Sequence, residues 1–178
     1  AGGTGFLADV CRAWEAAAAP ARDAGIRTVH LRTGVVLAPR DGALAKMLPP
    51  FRLGLGGPIG SGQQVMSWVA LEDVVGAYHH AAFDDALAGP VNLVAPGAVT
   101  SAAFAHGLGT VLHRPAFLPL PALAVEAAFG EMGRELLLQG QRAQPAKLEA
   151  AGFRFAFPDL EGALRHELGL PKALEAHA

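Results

Sequence analysis

Several features that would assign a function directly are scarce in this sequence of 178 residues. Its single cysteine, Cys11, cannot form an internal disulfide, which fits a reducing cytoplasm better than secretion. Its net charge of −2 and its 17% of charged residues provide no positive surface for DNA or RNA. We therefore expect a cytoplasmic protein with no nucleic-acid partner.

Membrane and metal signals are missing as well. No run approaches the roughly 18 apolar residues that span a bilayer, and residues 1–5 lack the basic residues and apolar core of a signal peptide. Among the histidines, His79 and His80 are adjacent and would point about 100° apart on a helix. His106 and His113 have no third ligand at a fitting spacing. We expect no membrane association and no bound metal.

The composition and the spacing of apolar residues predict a folded domain. Its hydrophobic content of 52% is typical of a globular protein with a full core. Apolar residues recur at helical spacing in several segments, and short β-branched or apolar runs lie between them. This alternation favours an α/β fold. The predicted helices are 6–24, 43–48, a segment beginning at Asp73, 100–112, 122–129, 131–138, 145–151 and 160–168. The predicted strands are 26–31, 33–37, 65–70, 91–94 and 153–157, and residues 117–118 are expected to be extended.

Some of these boundaries have a chemical reason. Pro49 and Pro50 are expected to end the helix that begins at residue 43, because proline lacks an N–H donor. Asp73 stands where an N-cap belongs. Pro145 and Gly152 suit the first turn and the end of a short helix.

The most informative segment is 48–73, which is rich in glycine and leads through the 65–70 strand to the helix at Asp73. Loops held between regular elements commonly carry ligand contacts. A second glycine group, Gly2-Gly3-Thr4-Gly5, resembles a dinucleotide-binding turn but has no strand before it, and no acidic residue closes a second strand about 20 positions later. We interpret it as a lead-in to the first helix.

A family resemblance follows from several motifs together. These are Val29-His-Leu-Arg-Thr-Gly-Val-Val-Leu-Ala-Pro39, the segment from Gly42 to Gly57, Ser67-Trp-Val, Glu72-Asp73, Asn92-Leu-Val-Ala-Pro96, Gln141-Arg142, Pro145, Gly152-Phe153 and Pro158-Asp-Leu160. The combination resembles the atypical extended short-chain dehydrogenase/reductases called the epimerase family, including their small C-terminal DUF1731 module. The resemblance covers nearly the whole chain.

The resemblance implies the C-terminal part of a Rossmann-like doubly wound sheet, a small α/β substrate-binding region and a C-terminal cap. Residues 1–40 would hold the last helix and strand of the NAD(P)-binding part. Residues 41–120 would form the substrate-binding region, and residues 121–178 the C-terminal module. The glycine turn and the first strands of such a fold are not matched. We therefore expect Ala1 to be either a processed N-terminus or an internal position of a longer gene product.

Ordinary members of the wider group carry a Tyr-x-x-x-Lys pair on the helix that corresponds to residues 6–15. In that pair the tyrosine hydroxyl exchanges a proton and the lysine lowers its pKa. This chain has neither residue there, and Arg12 cannot replace the lysine because a guanidinium stays protonated. Tyr78, the only tyrosine, is expected to be a packing residue. The catalytic residues stay unassigned.

By resemblance, backbone groups in the segment after the predicted first strand would face the nicotinamide of the cofactor, in the run Arg32, Thr33, Gly34, Val35 and Val36. The segment would lie at the carboxyl edge of a parallel sheet, where open α/β folds bind ligands. An ordinary passage from strand to loop is the alternative. The cofactor would be NADP in preference to NAD, bound mostly by residues outside this sequence.

For the substrate we consider residues in and around the glycine-rich segment. Lys46 and Arg52 would meet an anionic group, and Gln64, Ser67 and Trp68 would line a pocket. Each has an equally acceptable structural alternative: a solvated lysine, or a tryptophan buried in the core. Arg142 and Gln141 would either reach over the site or fasten the C-terminal module to the body.

The resemblance implies hydride transfer at a hydroxyl or carbonyl carbon of a small-molecule substrate such as a nucleotide sugar. The alternative is a non-catalytic module that senses NAD(P) or binds another protein. A partial sheet exposes an unpaired edge, so we also expect self-association.

Overall fold

The computed structural model describes residues 5–121 and 140–171 and has a mixed helix and strand architecture, as predicted. The helices are α1 (Phe6–Ala17), α2 (Ala19–Asp23), α3 (Gly42–Arg52), α4 (Leu71–Phe83), α5 (Ser101–Leu112), α6 (Ala146–Ala150) and α7 (Leu160–Glu167). The strands are β1 (Val29–Thr33), β2 (Val35–Leu37), β3 (Val65–Met66), β4 (Trp68–Ala70), β5 (Gly89–Leu93) and β6 (Val99–Thr100). The predicted helices 122–129 and 131–138 and the glycines at 2 and 3 lie outside the described residues. Within the described ranges, no helix has the length and apolarity needed to cross a membrane.

The sheet divides at Gly34. Before it, β1 runs parallel to β5, with Val29 opposite Gly89 and Thr33 opposite Leu93. After it, β2 runs parallel to β4. The hydrogen bonds change partner within one residue, because the Gly34 N–H donates to the Leu93 carbonyl at 3.0 Å and the Val35 N–H to the Ser67 carbonyl at 2.8 Å. We call this point the fork.

The residues after β5 pair with β4 on the side away from β2, because the Ala95 N–H donates to the Trp68 carbonyl at 2.7 Å. Strand β4 therefore lies between the chain of β2 and the chain beyond β5. Gly34 permits this because a Cβ there would lie 2.5 Å from the Ser67 carbonyl oxygen and 2.8 Å from Val94 Cγ1. No side chain larger than hydrogen fits without moving the strands.

Two apolar clusters cover opposite faces of the sheet. Trp68 and Ala70 of β4 contact one cluster and Val69 the other, as the two-residue period of a strand requires, and all three are fully buried. The first cluster joins β2 and β4 to α3, α5 and α7. The second joins β1, β4 and β5 to α4 and α6 through residues such as Ala77 and Leu148.

Several predicted boundaries differ from the observed ones. The predicted 6–24 helix is interrupted at Ala18, and Pro20 lies in the first turn of α2. Pro49 and Pro50 do not end α3, which continues to Arg52 and buries Phe51. The 65–70 strand is two strands: β3 pairs antiparallel with β6, and β4 pairs with β2.

The segment 153–157 was predicted as an edge strand and is not one. Its side chains alternate between half-buried and exposed, but it joins no strand ladder. The N–H groups of Ala156 and Phe157 donate to the two carboxylate oxygens of Asp73, at 2.6 and 3.1 Å. A side chain thus takes the donors that a neighbouring strand would have used.

The prediction that Asp73 caps α4 is also wrong. The N-cap residue of α4 is Ala70, and the N–H of Leu71 donates to Oε1 of Glu167 at 2.7 Å. Asp73 instead binds the C-terminal segment from within the first turn of the helix. His166 Nε2 lies 2.8 Å from Oε2 of Glu72 and adds a second link between the same parts.

Burial raises the pKa of Asp73 above its ordinary value of 3.8, although the two backbone hydrogen bonds act in the opposite direction. Burial likewise raises the pKa of Glu167. The carboxylates of Asp73 and Glu167 are therefore costly to ionise in the native state.

The fork predicts the effect of enlarging Gly34. Gly34→Ala would place a methyl group against the Ser67 carbonyl and Val94, so we expect the free energy of unfolding to fall by about 1–3 kcal/mol in urea titrations. Gly76→Ala is the matched control, because its Cβ would lie 3.6 Å from the Phe153 ring, an ordinary contact, within a helix. The control should be neutral or stabilising by up to about 1 kcal/mol. Equal effects of the two substitutions would show that the fork is not tightly packed.

The raised pKa of Asp73 predicts a pH dependence. A carboxyl whose pKa is raised by folding binds its proton more tightly in the native state, so stability increases as the pH falls through that raised value toward 3.8. Asp73→Asn has no proton to bind at this position. The free energy of unfolding of the wild type minus that of the variant should therefore increase between about pH 7 and about pH 4. Urea unfolding at a series of pH values measures this difference, and a decrease on acidification would contradict the assignment.

Candidate functional site

The fork lies at the carboxyl ends of the parallel strands β1 and β5. Ligands of open α/β sheets bind in the crevice outside these ends. The fork is therefore the place where the described residues provide a candidate site, and the residues predicted for the cofactor and part of those predicted for the substrate meet there.

Arg32 is exposed on β1 and forms a two-pronged ion pair with Glu15 of α1. Its Nε and one terminal nitrogen lie 2.6 and 2.8 Å from the two carboxylate oxygens of Glu15. The hydrogen bond from Arg32 lowers the pKa of Glu15. This pair attaches α1 to the sheet, and it matters for that helix because none of the α1 residues is buried.

The other residues predicted for the cofactor form the fork itself. Thr33 is exposed, whereas Gly34, Val35 and Val36 are half-buried. The N–H groups of Gly34 and Val35 already donate to sheet carbonyls. A cofactor contact by this segment would therefore use its carbonyl groups or its side chains, and such a contact stays a prediction.

A segment from the C-terminal part of the chain crosses the fork. We call residues 140–145 the strap. The Gln141 N–H donates to the Val65 carbonyl at 3.0 Å, and a Cβ at Gly140 would lie 2.3 Å from the Val65 nitrogen. The strap therefore begins in close backbone contact with β3.

The Ser67 hydroxyl binds the strap both as a hydrogen-bond donor and as an acceptor. Its Oγ donates to the Gln141 carbonyl at 2.8 Å and accepts the N–H of Ala143 at 2.9 Å. Further along, Nδ2 of Asn92 donates to the Gln144 carbonyl at 3.0 Å. Ser67 was predicted to line the substrate pocket, and the structure places its hydroxyl between the sheet and the strap.

A shallow pocket of about 190 Å³ lies beside the strap. Its lining includes Arg32 and Asn92, which are opposite each other in the β1–β5 ladder, together with Lys147 of α6. The Lys147 ammonium donates to the Ala88 carbonyl at 3.2 Å. The pocket combines two cationic side chains with the side-chain amides of Asn92 and Gln144.

The remaining predicted substrate residues are distributed differently. Lys46 and Arg52 are exposed on α3, the helix that leads into the glycine-rich loop. Gln64 is half-buried and its Nε2 donates to the Ile59 carbonyl at 2.8 Å within that loop. Trp68 is fully buried and its indole N–H donates to the Gly97 carbonyl at 2.7 Å, which favours the core alternative. Arg142 is exposed on the strap.

Sequence reasoning missed Asn92, Gln144 and Lys147. Asn92 carried a detectable signal, since it is the one polar residue in the apolar run Val91–Ala95. The other two are surface residues whose positions depend on where the strap crosses the sheet, and nothing in their local sequence records that crossing. Tyr78 was expected to pack, but it is 56% exposed on α4.

Comparison with known proteins supports the resemblance. The family described as a domain of unknown function, DUF1731, matches residues 120–167. Epimerase family protein Mb2239 of Mycobacterium bovis is 53% identical over 153 residues, which is 86% of this chain and 51% of that protein. Epimerase family protein SDR39U1 of Homo sapiens is 44% identical over 160 residues, which is 90% of this chain and 54% of that protein.

Solved structures of epimerases and epimerase family proteins are also similar to this chain. Human epimerase family protein SDR39U1 (isoform 2), solved with NADPH, matches with a TM-score of 0.87 and 40% identity over 94% of this chain and 57% of that chain. A nucleoside-diphosphate sugar epimerase from Corynebacterium glutamicum matches with a TM-score of 0.71 and 38% identity, over 94% and 32% of the two chains. UDP-glucose 4-epimerase of Thermus thermophilus, solved with NAD, is 21% identical and shares the fold, with a TM-score of 0.62 over 88% and 51%.

This chain spans about half the length of the curated relatives it matches. The similarity nevertheless covers most of its residues, includes the C-terminal module and extends to the three-dimensional structure. The chain belongs to the epimerase family and corresponds to the C-terminal part of that family's fold.

Proposed function

We propose that this chain is the substrate-facing part of an NAD(P)-dependent epimerase or oxidoreductase, which transfers hydride at a hydroxyl or carbonyl carbon of a nucleotide sugar or a similar substrate. The observation that carries the proposal is the match to a relative solved with NADPH, at a TM-score of 0.87. A crevice at the carboxyl ends of parallel strands supports it, because that is where such folds place their ligands.

In this proposal the segment 32–36 faces the nicotinamide, and the strap with Ser67 and Arg142 bounds the substrate. Lys46 and Arg52 lie farther along the chain on α3 and would contact an anionic part of a larger substrate. NADPH is the preferred cofactor because it is the one named with the human relative. Its adenosine and phosphates would be bound by residues beyond this sequence.

A non-catalytic role has one specific observation in its favour. Helix α1, which corresponds to the Tyr-x-x-x-Lys helix, contains neither tyrosine nor lysine in Phe6–Ala17. The usual proton donor is therefore missing at its usual place. A module that binds NAD(P) without turning over a substrate would tolerate this loss.

Turnover by the intact gene product distinguishes the two roles. We expect oxidation of NADPH, followed by its absorbance, with at least one carbonyl compound in a panel that includes nucleotide-activated sugars. Parallel assays with NADH test the cofactor preference. Tight NADPH binding without turnover of any substrate in the panel would favour the sensing role.

The chain alone should lack most of the cofactor site. We expect calorimetry to detect weak NADPH binding by the 178-residue chain or none at all. A dissociation constant in the micromolar range would contradict the proposal that most of the cofactor is bound elsewhere. Circular dichroism of the same sample should show that the chain is folded.

We also propose that the chain alone self-associates through α1 and the neighbouring edge of β1. Within the described residues, β1 pairs with β5 only, and Phe6 and Trp14 of α1 are 71% and 75% exposed. Sedimentation should show a concentration-dependent dimer that Trp14→Glu weakens. The control is Phe83→Glu, which changes a side chain of similar exposure on α4. A monomer at every concentration would refute the proposal.

A further inference from the structure

A second cavity lies at the C-terminal end of α5, and none of its lining residues belongs to the pocket at the fork. Its volume of about 480 Å³ falls within the range of sites that bind small molecules. The lining includes His106, Thr110, His113 and Arg114, and none of the described residues that line it is acidic. The cavity therefore has the composition of a site for an anion.

One wall of this cavity is fixed because the chain folds back on α5 after the helix ends. A Cβ at Gly109 would lie 2.6 Å from Ala116 Cβ and 2.8 Å from the Arg114 carbonyl oxygen, so only glycine permits this approach. On the other side, Nε of Arg114 donates to the carbonyl of Arg52, the last residue of α3, at 3.0 Å. Arg114 is therefore held between two helices before any ligand binds.

The hydrogen bond to Arg52 uses only the Nε–H group of the Arg114 guanidinium. The terminal nitrogens of Arg114 form no hydrogen bond or ion pair within the part of the chain that the structure describes. A guanidinium binds phosphate oxygens through parallel N–H groups, and a fixed orientation lowers the entropic cost of that contact. Arg114 thus offers oriented donors to the cavity.

Side chains of α5 face the same cavity. His106, Thr110 and His113 are spaced by four and three residues, so they lie on one side of the helix, and all three are exposed. Neither imidazole has a hydrogen bond or an ion pair with a described residue. Each ring provides an N–H donor, and the threonine hydroxyl provides another. Together with Arg114, these side chains line the cavity with donors.

His113 has an unusual backbone conformation. It is the one residue besides glycine with a positive φ in the ranges 5–121 and 140–171, with φ 53° and ψ 44°. Glycine adopts this left-handed conformation at lower cost than other residues do. Non-glycine residues held in this conformation cluster at functional sites. Since no hydrogen bond or ion pair with a described residue offsets the cost, we interpret the His113 imidazole as a ligand-binding group.

One effect opposes an anion at this place, because the C-terminal end of a helix carries a partial negative charge. The effect is reduced here, since the carbonyls of Gly109 and Thr110 already accept the N–H groups of Arg114 and His113, at 2.9 and 3.1 Å. The guanidinium also contributes a full positive charge. This balance favours an anion that accepts several charge-assisted hydrogen bonds at once, as the oxygens of a phosphate group do.

We propose that His106, Thr110, His113 and Arg114 bind the phosphate group of a small phosphorylated compound, at a site separate from the fork. The cavity is larger than a phosphate group, so it also has room for an organic part of the ligand. The proposal goes beyond the proposed function and does not rest on it, since the α5 site can be occupied whether or not a substrate reacts at the fork.

Titration of the intact gene product with inorganic phosphate, followed through amide chemical shifts, tests the site. We expect saturable changes at His106, Thr110, His113 and Arg114, with a dissociation constant of about 1 mM or lower. Phosphate that binds at the fork would instead change the amides of residues 32–36. Ribose 5-phosphate should bind at the α5 amides at least as tightly as phosphate, and ribose should not bind there.

His113→Gly separates a ligand-binding role from a structural one. It should weaken phosphate binding by about tenfold, the loss expected for one hydrogen bond to a charged group. The midpoint of its urea unfolding should stay equal or rise, because glycine suits the left-handed backbone. A merely structural histidine would show the reverse, a lower midpoint with unchanged phosphate binding.

Arg114→Ala should weaken phosphate binding by about tenfold or more. Arg154→Ala is the matched control, since Arg154 is also exposed and has no hydrogen bond or ion pair among the described residues. It should leave the dissociation constant unchanged within about twofold.

Unchanged α5 amides in the phosphate titration, or full phosphate affinity in the His113→Gly variant, would overturn the proposal. Equal effects of Arg114→Ala and Arg154→Ala would do the same. Weaker binding of ribose 5-phosphate than of phosphate would overturn the assignment to an organic ligand. Arg114→Ala also removes the contact with the Arg52 carbonyl, and His113→Gly decides the question if that variant does not fold.

Discussion

The close approach of two backbones at Gly34 is the constraint on which the rest of the structure depends. The missing side chain allows the Ser67 carbonyl to reach the Val35 N–H, and this brings β4 between β2 and the chain beyond β5. Because β4 is covered on both faces, its position also aligns the two apolar clusters. The same residue, Ser67, then uses its hydroxyl to receive the strap. A single glycine thus determines where the sheet opens and where the C-terminal segment crosses it.

Charged groups attach the outer elements to this centre. Arg32 connects α1 to β1 through Glu15, and the carboxylate of Asp73 receives two N–H groups of the C-terminal segment. These contacts differ in exposure. The Arg32 pair is near solvent, where an ion pair contributes little to stability but still fixes direction. The Asp73 contact is buried, so losing it would leave two backbone donors without partners.

The sequence was sufficient for the elements that depend on local signals. The helix predicted over 100–112 is α5, where Thr100 accepts the Ala103 N–H at 3.1 Å, and Gly152 follows the end of the short helix α6 with a positive φ. Long-range contacts account for the errors. Pro49 and Pro50 remain inside α3 because Phe51 is buried beyond them, and Asp73 serves residues more than 80 positions away. The crossing of the strap at Ser67 is of the same kind, since no local pattern links residue 67 to residues 141 and 143.

We propose that the ligand site lies at the fork, with the cofactor beside residues 32–36 and the substrate beside the strap. An amide chemical-shift map of the intact gene product titrated with NADPH tests this placement most directly. We expect the amides of Thr33, Gly34, Val35 and Val36 to show the largest changes within the described part of the chain. Unchanged amides at these four positions, with the changes confined to α5 or α7, would contradict it.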